Sequence, residues 1–288
     1  MPRDNVQPEI VEAPKGFRWP GDRHVAVVFN IAYEVWSEGT SSGVGPMGNP
    51  LPAGVFDPNA DSYGNYGAQT GIKRLVKELG KSEVSANIFT SGAIAERDPE
   101  QLRAVIEAGH EIVAHGYAQD LIPAKLSAED DARYIAQTTD LLGGALGQHP
   151  KGWISPRATA GHDTMRRLIG AGYEWQGDML DRDLPYLQRY PEGELISIPL
   201  TIDFNDLSHS MRFGRTPRQF VEVFDDALEH MLANTDDPVI IDVLVHCHCY
   251  GRPAGAWAYS EIAKKCAGRD DIWVTTRGQM AEHFRKSL

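Results

Sequence analysis

The sequence predicts a single α/β domain built around a parallel sheet. Segments with strand-like and helix-like hydrophobic patterns alternate from one end of the chain to the other. The 288 residues, 42% of them hydrophobic, are enough to bury a large core. No internal repeat or low-complexity tract interrupts the alternation. We therefore expect one domain over residues 1–288, in which residues 1–17 form an N-terminal extension.

The first half of the chain begins the alternation with the β-branched run HVAVVFNI at 24–31, which follows the turn signal WPGD. Apolar residues at helical spacing predict a helix at 70–80 that ends at Gly80. Asp98 and Ser127 are expected to be the N-caps of the next two helices. The remaining elements of this half are strands at 84–90 and 110–115 and helices at 98–109 and 127–146.

The second half continues the pattern, and its clearest element is PVIIDVLVH at 238–246, an apolar run typical of a buried parallel strand. Further strands are expected at 152–156, 173–177, 194–200 and in IWVTT, and helices at 162–172, 216–234, in AWAYSEIAKKCAG and at the C-terminus. The Gly-, Pro- and Asn-rich segment 37–69 is the exception. A loop of that length in a compact domain is usually functional or mobile.

Composition limits the classes of function. The net charge is −12 and the chain has no basic stripe, which argues against a nucleic-acid partner. No apolar run approaches the ~18 residues of a membrane helix, and the first residues lack an apolar signal core, so we expect no membrane and a cytoplasmic location. Three cysteines do not make a disulfide framework, which fits a reducing compartment.

Polar residues follow the predicted strands where each strand ends. The clusters lie at 30–36, 115–120, 155–157, 178–183 and 246–249. In α/β barrels the chemistry is found at the carboxyl ends of the strands. Five clusters of this kind are more than chance would place there, so we expect a functional site at this edge of the sheet.

Six segments occur in an order that resembles a known family. They are RWPGDRHVAVVFNIAYE, AGHEIVAHGY, SPR (155–157), GDMLDRDLPY (177–186), IPLTIDFND (198–206) and HCHCYGRP (246–253). Together they resemble the polysaccharide deacetylase superfamily and, within it, the branch that contains bacterial allantoinases and cyclic imide hydrolases. The resemblance runs from about Arg18 to about His283. It implies a distorted (β/α) barrel of about seven strands, and members that commonly form homo-oligomers.

The resemblance also bears on a metal. Metal-dependent members of the family carry a carboxylate pair in the first motif and a His-x-x-x-His pair in the second. Here Glu34 is one carboxylate, Ala32 stands where an acid is expected, and His115 is followed by Gln119 instead of a second histidine. Glu34 and His115 could bind a divalent metal such as zinc, but zinc takes about four ligands and this set is incomplete. No cofactor is therefore firmly expected.

Four residues are candidates for catalysis: Glu34, His115, Arg157 and His246. The apolar neighbours of Glu34 predict a pocket in which desolvation raises its pKa, as suits a general acid or base. The resemblance implies that His246 is the general acid. Arg157 could hold a carbonyl or carboxylate through two hydrogen bonds, or form a surface ion pair. A lone strand-end histidine such as His115 is often structural, but its place in the motif favours function.

The candidate substrate-binding residues are polar or aromatic side chains near the same strand ends: Trp36, Tyr117, Gln119, Asp178, His248 and Trp257. The alternative for the aromatic members is ordinary core packing. Cys247 and Cys249 alternate with His246 and His248, so we expect them to face the other way and pack in the core. Asp206 is expected to support its loop.

These observations predict a hydrolase that opens a C–N bond of a small cyclic amide, such as an imide, a hydantoin, a ureide or a lactam. One alternative is an N-deacetylase of amino sugars or peptidoglycan. The other is a catalytically silent barrel that binds a small ligand. The expected partners are a small-molecule substrate and other copies of the same chain.

Overall fold

The computed structural model describes residues 7–40, 51–52 and 54–288 and contains ten strands in this part of the chain. In chain order the strands are β1 (Glu9–Val11), β2 (Val25–Tyr33), β3 (Asn87–Thr90), β4 (Glu111–Ala114), β5 (Gly152–Trp153), β6 (Trp175–Gln176), β7 (Tyr186–Tyr190), β8 (Gly193–Ser197), β9 (Val239–His246) and β10 (Ile272–Thr275). Ten residues of the expected long loop, 41–50, lie outside the described part together with residue 53.

Helices cover the outside of the sheet. They are α1 (Pro58–Tyr66), α2 (Ile72–Gly80), α3 (Ala93–Arg97), α4 (Pro99–Glu107), α5 (Ala128–Leu146), α6 (Thr164–Gly170), α7 (Pro217–Asn234), α8 (Pro253–Cys266) and α9 (Arg277–Ser287). Two π-helical segments, Gly67–Gly71 and Leu207–Arg212, interrupt the regular pattern. Asp98 and Ser127 cap α4 and α5 as expected, since each side chain accepts a backbone N–H of the first turn. No helix of the described ranges is long and apolar enough to cross a bilayer.

The sheet forms the predicted distorted barrel. Seven parallel strands follow one another in the order β9-β2-β3-β4-β5-β6-β8, and β10 pairs with the first part of β2. The antiparallel strands β7 and β1 extend the edge beyond β8. The sequence did not indicate these two strands, and β1 lies within the segment expected to be only an extension.

The barrel is not closed by backbone hydrogen bonds, because β8 and β9 form no ladder with each other in the described residues. Side chains bridge this gap, which we call the seam. Asp242 on β9 accepts the Thr201 N–H at 2.8 Å and pairs with Arg277. Arg277 also donates to the Ile198 carbonyl at 2.8 Å. The predicted strand at 194–200 ends before the seam because Pro199 has no N–H to donate.

Alternate residues of each strand enter two different cores. On β2, Val27, Phe29 and Ile31 pack outward against the helices. Ala26, Val28 and Ala32 pack inward, in the core that fills the barrel. This alternation decides which side chains emerge inside the barrel at the carboxyl ends of the strands.

Candidate active site

Strand alternation delivers Glu34 and His115 to the mouth of the barrel. Glu34 follows Ala32 on the inward-facing side of β2, and His115 follows Val113 on the inward-facing side of β4. Both side chains are buried, at 3% and 4% exposure.

The same rule places the two histidines that follow β9. Leu244 packs inward, so His246 and His248 also point into the barrel, while Cys247 packs outward with the helices. Cys249 joins the same outer core. The expected division between inward histidines and outward cysteines is therefore what the structure shows.

The three imidazoles surround one carboxylate. The His115 Nε2 lies 3.3 Å from Glu34 Oε1, and the His246 Nε2 lies 3.8 Å from the same oxygen. The His248 Nδ1 lies 3.8 Å from Glu34 Oε2. The structure thus brings Glu34, His115, His246 and His248 into one cluster, which we call the histidine cluster. Both carboxylate oxygens face ring nitrogens.

Fixed acceptors outside the cluster set the tautomers of two rings. The His115 Nδ1 donates to the Ile154 carbonyl at 2.7 Å, since a carbonyl oxygen can only accept. The His246 Nδ1 donates to Asp206 Oδ1 at 2.6 Å. In both rings Nε2 is left facing Glu34.

The charges in the cluster differ from the sequence-based expectation. Burial raises the pKa of Glu34, but the fields of His246, His115 and His248 outweigh burial and lower its pKa to about 2. The expectation of a raised pKa was wrong because the inward neighbours of Glu34 are imidazoles, whereas the apolar residues beside it in sequence include outward-facing ones. Burial lowers the pKa of His246, yet Asp206 and Glu34 together raise it above its usual value.

His248 is enclosed by aromatic rings. Trp36 meets it edge-on at a centroid distance of 5.2 Å, and Tyr63 at 5.8 Å. Burial lowers the pKa of His248 to about 4, so the ring is neutral at pH 7. Its Nε2 is buried and has no hydrogen-bond partner in the described part of the chain.

Two further candidates contribute polar atoms without partners. Asp178 is 7% exposed, and its Oδ1 accepts the Ser155 N–H at 2.7 Å, while Oδ2 has no partner among the described residues. Burial raises the pKa of Asp178 to about 6, against a lowering by the Ser155 hydrogen bonds and by His115. Gln119 is half-buried with its Oε1 unpartnered in the same ranges.

Three candidates make their contacts elsewhere. Arg157 is exposed, has a left-handed backbone (φ 61°), and makes no side-chain hydrogen bond or ion pair within the described ranges. Tyr117 donates to Glu96 and stacks on Tyr134. Trp257 is 40% exposed on α8 and lies under the Arg218 guanidinium. The structure does not bring these three into contact with the histidine cluster.

Sequence reasoning underestimated Asp206, and it gave Arg252 only a part in shaping the turn that aims His246. Asp206 is fully buried and does more than support its loop, because it accepts the ring and backbone N–H groups of His246 and the backbone N–H of Tyr250. The DFND block was the available signal for this role. Arg252 lies over the Tyr63 ring at 4.6 Å.

The residues present do not fit the metal site that the resemblance implies. Gln119 stands at the position of the second histidine, and its neutral amide is a poor zinc ligand compared with imidazole. The rings of His115 and His246 are held by Ile154 and Asp206 so that they face Glu34. Over residues 7–40, 51–52 and 54–288, no group of three or more His, Cys, Asp or Glu side chains could hold a metal ion.

Comparison with known proteins agrees with this architecture. Residues 61–175 match the family model for polysaccharide deacetylase. A peptidoglycan deacetylase of Helicobacter pylori is 23% identical over 287 residues, covering 89% of this chain and 96% of that protein.

Solved structures extend the similarity over nearly the whole chain. A probable polysaccharide deacetylase of Pseudomonas aeruginosa PAO1 superposes with a TM-score of 0.79 at 28% identity, covering 93% of each chain. PuuE allantoinase superposes with a TM-score of 0.81 at 26% identity, covering 99% of this chain and 98% of that one. The chain is therefore similar to polysaccharide deacetylases over residues 61–175, and it shares the fold of these two solved structures over nearly its whole length.

Proposed function

We propose that the protein hydrolyses a C–N bond of a small cyclic amide, such as an imide, a hydantoin, a ureide or a lactam. The observation that carries this proposal is the state of His246. Its Nδ1–H is anchored on Asp206, and its Nε2 faces the ionised Glu34. Because Asp206 and Glu34 raise the pKa of His246, the ring keeps its proton to a higher pH than usual and can give its Nε2 proton to a departing nitrogen, which is the demanding step in opening an amide.

The other cluster residues support the attack of water. The attacking water would lie beside Glu34 and His115, whose contact fixes their positions, and the neutral His248 would contact the substrate. Arg157 or a backbone N–H would stabilise the oxyanion as the carbonyl carbon becomes tetrahedral. The product would carry a new carboxylate and a released amide or amine nitrogen.

The similarity to PuuE allantoinase over nearly the full length supports a ring substrate. The second candidate is N-deacetylation of an amino sugar or peptidoglycan. The family-model match and the Helicobacter pylori peptidoglycan deacetylase favour that candidate. Both reactions break a C–N bond with water, and they differ in the size and shape of the substrate.

Substrate profiling separates the candidates. Purified protein is assayed with cyclic imides, hydantoins, allantoin and acetylated chitooligomers, with and without a chelator. We expect turnover of at least one ring and none of the acetylated oligomers. The His246→Ala variant should lose this turnover, whereas a matched change at the exposed His149, His149→Ala, should not. Hydrolysis of the oligomers alone would favour the deacetylase, and no hydrolysis at all would favour a silent binding barrel.

A further inference from the structure

Asp178 is a buried carboxylate with one oxygen unused. Oδ1 accepts the Ser155 N–H at 2.7 Å, which accounts for the structural role of the side chain. Oδ2 is buried and has no partner in the described residues. Leaving a buried polar atom unpaired costs free energy, so such an atom in a native fold requires an explanation. An atom that meets a ligand or water during the reaction provides one.

Asp178 and His115 are both hydrogen-bonded to the backbone segment that follows β5. The carbonyl of Ile154 accepts the His115 Nδ1–H, and the next residue, Ser155, donates its N–H to Asp178. Because β5 lies between β4 and β6 in the sheet, His115 and Asp178 leave the same edge with one strand between them. The charge of His115 acts on the Asp178 carboxyl.

The sequence favours Glu34 and His115 as bases, but both already face other polar groups of the site. Glu34 Oε1 faces His115 and His246, and its Oε2 faces His248. His115 uses Nδ1 on Ile154 and Nε2 on Glu34. A proton added to Glu34 would remove the anion that holds three imidazoles together. His115 offers no free lone pair to water, and Glu34 can accept a proton only at that cost.

Two titratable candidates of the site have a buried acceptor atom without a partner in the described residues, Asp178 at Oδ2 and His248 at Nε2. A proton on His248 would add a further buried positive charge, with its ring centroid 5.6 Å from that of His246. A proton on Asp178 would instead neutralise a buried charge. Electrostatics therefore favours Asp178 as the acceptor.

We infer that Asp178 is the general base of the reaction, a catalytic residue that takes the proton of the attacking water on Oδ2. As the water oxygen bonds to the amide carbonyl carbon, one of its protons moves to Asp178. The C–N bond then breaks, and its electron pair takes the Nε2 proton of His246. Asp178 afterwards releases its proton to solvent and His246 regains one, so the net reaction is the addition of water across the C–N bond.

The environment of Asp178 suits this role. Its pKa of about 6 lies near a neutral working pH, whereas that of Glu34, about 2, makes Glu34 a weak base. The titratable group whose charge acts on Asp178 is His115, at the end of β4, and Arg277 of α9 lies near the preceding residue, with its Nη1 3.4 Å from an ideal Cβ built on Gly177. Arg277 is itself paired with Asp242.

The inference rests on the proposed amide hydrolysis, and the test uses whichever amide the wild-type protein hydrolyses, ring or N-acetyl. In Asp178→Asn the amide oxygen can still accept the Ser155 N–H, so folding should be retained. We expect kcat to fall ~10²–10⁴-fold with KM unchanged. The residual activity of Asp178→Asn should show no acidic limb in its pH profile. The residual activity of Glu34→Gln should still show that limb. Asp183→Asn, an exposed change in the same loop, is the matched control.

Two readouts separate a base from a merely structural carboxylate. Formate should partly restore activity to Asp178→Ala but not to Asp178→Asn, which has no space for it. The carboxyl ¹³C signal that is missing from Asp178→Asn should titrate in the wild type at about 6.

Each contrary result has a distinct meaning. If only acetylated oligomers are hydrolysed, the cyclic-amide proposal fails while the base assignment is tested on those oligomers. If nothing is hydrolysed, the ¹³C titration decides, and a value near that of an ordinary aspartate overturns the inference. A loss of less than about tenfold in Asp178→Asn, or an unchanged acidic limb, also overturns it.

Discussion

At the scale of single residues, the site depends on protons held in place by groups outside it. Ile154 and Asp206 each fix one imidazole by accepting its Nδ1–H, so that both Nε2 atoms point at Glu34. The position of a histidine in a motif reveals neither its tautomer nor its partner. Both follow from acceptors that lie far away in the sequence.

His246→Ala should abolish turnover and leave the fold intact. Asp206 would lose the ring N–H, but it would still accept the backbone N–H groups of residues 246 and 250. Loss of a positioned acid costs ~10²–10⁴-fold in rate, and less for a substrate whose leaving nitrogen needs less protonation. Kinetics on a matched pair of ring substrates, with a thermal melt, test this. A variant that melts far below the wild type would show that His246 is structural.

Asp206→Asn should move the basic limb of the kcat profile to lower pH. The carboxylate of Asp206 raises the pKa of His246, and the reaction needs His246 protonated, so activity is lost as pH rises through that pKa. A neutral amide can still accept the Nδ1–H but supplies no charge, and the pKa should therefore fall. The pH profile of the variant, taken below its melting temperature, measures the shift. A limb that stays in place would mean that another group controls it.

Gln119 leads us to expect that activity needs no tightly bound zinc. The amide replaces the imidazole that would complete the family's ligand pair. Elemental analysis should find less than one zinc per chain, and dialysis against a chelator should leave turnover unchanged. Stoichiometric zinc that survives the chelator would contradict this, and His248 would then be examined as the missing ligand.

At the scale of elements, close backbone packing fixes the position of the turn that carries His248. Gly71, at the end of the first π-helical segment, approaches the turn after β9 so closely that a Cβ would lie 2.0 Å from the Cys247 carbonyl oxygen. Gly251 meets the same oxygen from within the turn, again with 2.0 Å to an added Cβ. These two glycines therefore determine how far along the barrel axis the turn places His248.

Gly71→Ala should lower both stability and turnover. The added methyl group must displace the backbone of the turn, and overpacking of this kind costs about 1–3 kcal/mol. Gly80→Ala is the matched control on the following helix, because nothing lies within 4 Å of its Cβ, and alanine there should be neutral or stabilising. Melting temperatures and kcat of both variants are compared. Equal behaviour of the two would show that the turn tolerates displacement.

The sequence predicts best the elements that carry their own local signals. The caps Asp98 and Ser127 act as expected, since a capping side chain and its helix are neighbours in the chain. The apolar run of β9 likewise predicts a buried strand that ends at His246. The strands expected at 152–156 and 173–177 are present as β5 and β6 but are only two residues long, and β7, which is defined by its pairing with β8, was not indicated by periodicity.

The site residues show the same difference between features with a local sequence signal and features that depend on distant partners. Strand alternation predicts that His246 and His248 share a face opposite to the cysteines, because this is a local rule. The reversal of the expected pKa shift of Glu34 depends on three imidazoles from two other strand ends, and no local pattern reports them. Arg157 and Trp257 have residue types that suit a site, but their side chains make other contacts or none in the described chain, and residue type alone does not report this.

At the scale of the whole molecule, a buried ion pair joins the two sides of the barrel. Arg277 and Asp242 are both fully buried, and Asn30 connects them to the first strand by donating to Asp242 at 3.0 Å. Each member of this network has several partners, which offsets the cost of burying charge. The seam is thereby held by side chains from β9, α9 and the chain after β8.

Asp242→Asn should destabilise the protein by about 3–5 kcal/mol, because it leaves the Arg277 guanidinium buried without its anion. Asp225→Asn, which breaks an exposed pair with Lys265, should cost less than about 1 kcal/mol. Denaturant unfolding of the two variants gives the comparison. Similar midpoints would show that water or a rearrangement satisfies Arg277.

The seam is also the place where the barrel can open locally. A backbone ladder tends to fray from its ends, whereas side-chain bridges can open one at a time. Apart from a single bridge between Asn205 and Leu244, the circumference of the barrel can widen along this line without unpairing a ladder. The amide proton of Thr201, which is donated to Asp242 across the seam, would then exchange with solvent before those of the inner strands. Asp206 closely follows Thr201 in the chain. Such an opening would therefore weaken the hydrogen bonds by which Asp206 holds His246, while the rest of the barrel stays folded.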